Sequence, residues 1–104
     1  MLCLGCGGAH ADDLADIRAV RSLAAEAAQV IRLETEHRVT GIYAREMKDS
    51  ARDELGNEAE SAATRRVKAT ALQAITAVDK NDIAALERIV RQLFAMEGEH
   101  GRAD

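Results

Sequence analysis

Three residues near the start of the chain have the types and spacing of metal ligands. Cys3, Cys6 and His10 form a C-x2-C-x3-H cluster, with Gly5, Gly7 and Gly8 between them. Two thiolates and an imidazole at that spacing can converge on one tetrahedral ion, and the glycines permit the tight loop this needs. Zinc is the cofactor such a set would take, with His100 or a second subunit supplying the fourth ligand. Covalent haem attachment is excluded, because Gly7 stands where that pattern requires a histidine. Without this cluster the sequence implies no cofactor.

The other candidates lie on helical patterns and match known families over a few residues each. Glu34-x-x-His37 and Glu97-x-x-His100 carry the i, i+3 carboxylate–imidazole pair that resembles the ligand motif of di-iron helical bundles. His37-Arg38-Val39-Thr40-Gly41 resembles the phosphoacceptor motif of histidine phosphotransfer domains. That resemblance implies an all-α bundle with His37 as phosphoacceptor and Gly41 leaving room for the phosphoryl group. The chain departs from the family at Thr40, where a lysine would hold the phosphate. Glu26-x-x-Gln29 with Glu54-x-x-Asn57 resembles the E-x-x-E and E-x-x-D pairs of all-α nucleoside-triphosphate pyrophosphohydrolases. Two of the four carboxylates are amides here and cannot bind magnesium as anions, so an active enzyme of that kind is not expected.

The elements that would position these residues are helices. Of 104 residues 21 are alanine and none is proline, which makes helix the default. Between Ala9 and Glu97 the only glycines are Gly41 and Gly56. Asp12 and Asp13 offer an N-cap and first-turn acid before Leu14. Leu55-Gly56-Asn57 reads as a helix stop followed by a new cap, and the polar run from Asp79 to Asp82 reads as a second break. The sequence therefore predicts one all-α domain over 1–104, with helices near 13–55, 58–78 and 82–97 and flexible termini at 1–11 and 98–104. A four-helix bundle results instead if the first helix breaks near Gly41, with Thr40 as cap.

Ile17, Val20, Leu23, Ala24, Ala27, Val30 and Ile31 share one arc of the first helix. With that helix unbroken to residue 55, the two shorter helices leave this stripe uncovered. The expected occupant is then a second copy, giving a homodimer through residues 14–31.

The net charge is −4, with acids and bases interleaved, so neither nucleic acid nor a membrane surface is an expected partner. The start of the chain does not have the pattern of a secretion signal, and two cysteines close together are not a disulfide framework; a cytoplasmic location is expected. The resulting expectation is a non-enzymatic helical interaction module, a small dimeric regulatory or adaptor protein with an unidentified protein partner. Phosphotransfer at His37 is the competing expectation.

Overall fold

The computed structural model describes the backbone of residues 2–103 and the side chains of residues 14–99. It is all-α, with four helices: α1 (Leu2–Thr35), α2 (Gly41–Ser61), α3 (Arg65–Asp79) and α4 (Ile83–Ala103). The four-helix alternative is thus the one the chain adopts, and the unbroken helix from 13 to 55 is corrected by a stop at Thr35. α1 also begins upstream of the expected start near 13, and α4 runs past Gly98 and Gly101.

His37 ends α1. Its φ of 58° puts it in the left-handed region. The Arg38 N–H donates to Leu33 O at 2.8 Å and the His37 N–H to Glu34 O at 3.0 Å. This is the paired arrangement that closes a helix around a left-handed residue, a place glycine or asparagine usually fills. Asn81 does the same for α3, with φ 52° and bonds from Asn81 N–H to Val78 O and from Asp82 N–H to Ala77 O. The expected caps then open the next helices. Thr40 Oγ1 accepts from the Tyr43 N–H at 3.1 Å, and Asp82 Oδ1 from the Ala85 N–H at 3.0 Å.

Gly56 is not a stop. α2 passes through it to Ser61, and the real turn at residues 62–64 is set by Thr64, whose side chain accepts from the Val67 N–H. A glycine inside a helix costs only about 1 kcal/mol relative to alanine, and α2 absorbs this by burying Ala44, Ala51, Leu55 and Ala59.

The helices alternate in direction around a core of small and branched side chains. α1 packs against both α2 and α4, and α3 packs against all three. Ile17, Val20, Ala24, Ala27, Ala28 and Ile31 of α1 meet Leu55, Val67, Ala71, Leu86 and Leu93 in one buried cluster. The stripe expected as an interaction face is part of this core. Ile17, Val20, Ala24, Ala27, Val30 and Ile31 are buried within their own chain, and Leu23 is half-buried against the same core. Once α1 ends at Thr35, α2 folds back along it and α4 packs beside it, so the stripe is covered within its own chain.

Candidate functional site

Ion pairs hold the α1–α4, α2–α3 and α3–α4 seams and the upper part of the α1–α2 seam. α1 meets α4 through Arg32–Glu87 and through Glu97, which takes both Arg18 and Arg21. Arg21 Nε and Glu97 Oε2 are buried against each other as charges rather than as an aligned hydrogen bond. The Arg21 guanidinium also lies 4.2 Å from the centre of the Phe94 ring, a cation–π contact that shields one face of an otherwise exposed aromatic. α2 meets α3 through Arg52–Asp79 at 3.2 Å, and α3 meets α4 through Arg66–Glu99 at 3.3 Å. The upper part of the α1–α2 seam has Lys48, which reaches Glu34 at 3.1 Å and Asn81 at 2.9 Å.

The lower part of the α1–α2 seam is different. A groove of about 400 Å³ opens there, lined by Ala19, Ser22 and Leu23 of α1 and by Glu54, Asn57 and Glu58 of α2. Glu54 and Glu58 stand one helical turn apart, roughly 6 Å between Cβ atoms. Asp16 lies near enough to Glu58 for its charge to act there, and its Oδ2 accepts the Ala63 N–H at 2.9 Å, which ties α1 to the turn before α3. No cation of the described residues pairs with Asp16, Glu54 or Glu58. Partial burial, and then the Asp16 charge, push the Glu58 carboxyl above the usual carboxylate range. The site is therefore an apolar-floored groove walled by acids that lack a counter-ion.

The residues singled out by sequence fall elsewhere or do not assemble. His37 is exposed in the α1–α2 loop, off any helix, and Gly41 opens α2 instead of following a helical His by one turn. Glu34 is committed to Lys48, so Glu34 and His37 are not a ligand pair on one helix face. Glu97 is committed to Arg18 and Arg21, and the His100 side chain lies outside the described residues. The Cys3, Cys6 and His10 side chains also lie outside them. Among the described residues, no three His, Cys, Asp or Glu side chains converge as a metal set would. Of the pyrophosphohydrolase-like residues, Glu54 and Asn57 line the α1–α2 groove while Gln29 lines the α1–α4 seam. Sequence reasoning missed Asp16 and Glu58. The available signal was the run Glu54, Glu58, Glu60 on a helix whose neighbouring bases, Arg45, Lys48 and Arg52, all precede it.

No protein-family model, curated protein or solved structure matches the chain. No helix among the described residues is long and apolar enough to cross a membrane.

Proposed function

We propose that this chain is a non-enzymatic helical interaction module, a small regulatory or adaptor protein that meets a protein partner in the groove between α1 and α2. One observation carries this reading. The α1–α4, upper α1–α2, α2–α3 and α3–α4 seams each carry an ion pair, whereas among the described residues no cation pairs with Glu54 or Glu58 in the α1–α2 groove or with Asp16 beside it. An uncompensated, partly buried carboxylate works against folding. Such a cost is characteristic of surfaces kept for binding rather than stability. A dimer through residues 14–31 is not needed, since the bundle uses that stripe internally.

Immobilised wild-type chain and a Glu54→Lys, Glu58→Lys variant, each exposed to lysate of the source cells, test the reading by quantitative mass spectrometry. At least one protein captured by wild type and lost with the variant is expected. Identical captured sets would overturn it.

A further inference from the structure

Resting on that reading, we propose that the α1–α2 groove accepts a basic amphipathic helix of a partner protein. Its Lys or Arg side chains would sit against Glu54 and Glu58, and its apolar side chains on Leu23, Met47 and Tyr43. The partner's charge follows from the seam pattern. Across the α2–α3 and α3–α4 seams the base that answers an acid comes from the neighbouring helix, as Arg52 answers Asp79 and Arg66 answers Glu99. In the lower α1–α2 seam none of the described residues supplies that base, and a helix laid in the groove would bring it.

The partner's shape follows from the spacing. Tyr43, Met47, Glu54 and Glu58 recur at intervals of four, seven and four residues, so they share one flank of α2. Tyr43 is 46% exposed and Met47 half-buried at the apolar end of that flank, with the acids at the other. The flank runs about 22 Å at 1.5 Å per residue, the length of a four-turn helix. Glu54 and Glu58 line the groove one helical turn apart, which suits cations spaced by a turn on a facing helix. Glu58, whose charge is unfavoured in the free chain, would gain most from an incoming guanidinium or ammonium. Helix-in-groove recognition of this kind reads apolar anchors at i, i+3/i+4 and i+7.

Selection from a displayed library of helical peptides on the immobilised full chain, with the Glu54→Lys, Glu58→Lys chain as counter-target, tests the proposal. Circular dichroism verifies that the variant remains a helical bundle. Enriched peptides should carry Lys or Arg one turn apart beside a Leu or Ile stripe. They should bind wild type at least tenfold more tightly than a Glu54→Gln, Glu58→Gln chain, and weaken as salt is raised. Groove-dependent peptides without basic residues would overturn the basic-helix partner while leaving the interaction module standing. No groove-dependent binder from either library or lysate would remove both. A wild-type mass that doubles with concentration, and returns to monomer in Glu54→Lys, Glu58→Lys, would make a second copy the occupant and overturn a separate partner.

Discussion

Replacing Glu58 by glutamine should make the free protein more stable at neutral pH, against the usual result of losing a partly buried polar group. The carboxyl is raised by partial burial and by Asp16, with Glu54 one turn away on the same flank and no cation of the described residues paired with it. A like-charge i, i+4 pair costs about 0.2–0.5 kcal/mol, and burial and the Asp16 charge act in the same direction. The neutral amide keeps the shape and removes both, so a gain of about 0.5 kcal/mol is expected, or roughly 2–4 °C in Tm for a chain of this size. The sign with pH follows from linkage. An acid whose folded pKa is raised stabilises only where it is protonated, and that contribution is lost as pH rises through the raised value. The variant's advantage should therefore be full at pH 7 and fade as pH falls into the ordinary carboxylate range near ~4.3. High salt should shrink it as well. Thermal melts of both proteins from pH 4 to 8, at low and high salt, measure this. A variant less stable than wild type at pH 7, or one whose advantage is unchanged at pH 4, would refute the reasoning.

Three further outcomes follow from the fold. Wild type should have a monomer mass by light scattering, and Val20→Glu should lose cooperative unfolding, because an unpaired charge in the fully buried Val20 site costs several kcal/mol; a folded Val20→Glu with half the wild-type mass would restore the dimer. His37→Gly should raise stability by up to about 1 kcal/mol in denaturant titration, since glycine adopts the left-handed conformation without the penalty His37 bears, and a loss would show that the His37 side chain has a role of its own. Gly56→Ala should gain about 1 kcal/mol, because an added Cβ meets nothing within 4 Å and the position lies inside α2; a loss there would place a helix end at Gly56.

The helical class was legible because alanine, the missing proline and the period of residues 17–31 and 83–96 all point the same way. The caps at Thr40 and Asp82 were legible too, since their side chains act on their own backbone. The ends of helices were harder. α1 stops at a histidine in a conformation that glycine normally advertises, and α2 ignores the glycine it contains. Both outcomes depend on tertiary packing, because stopping at Thr35 lets α2 cover the α1 stripe and crossing Gly56 lets Leu55 and Ala59 reach the core. The groove was out of reach for the same reason. Asp16 and Glu58 stand 42 positions apart, and only the fold-back of α2 makes them neighbours. Glu54 was noticed for a carboxylate motif, whereas the proposed groove turns on its having no paired base among the described residues.

Backbone amide chemical-shift mapping of the labelled wild-type chain, titrated with a basic helical peptide selected on it, tests the central claim most directly. Shifts should concentrate along residues 16–26 of α1 and 43–58 of α2, and the Glu58→Gln chain should show them only at higher peptide concentration. Shifts gathered instead around Leu72 or Phe94, the exposed apolar residues of α3 and α4, would contradict the account.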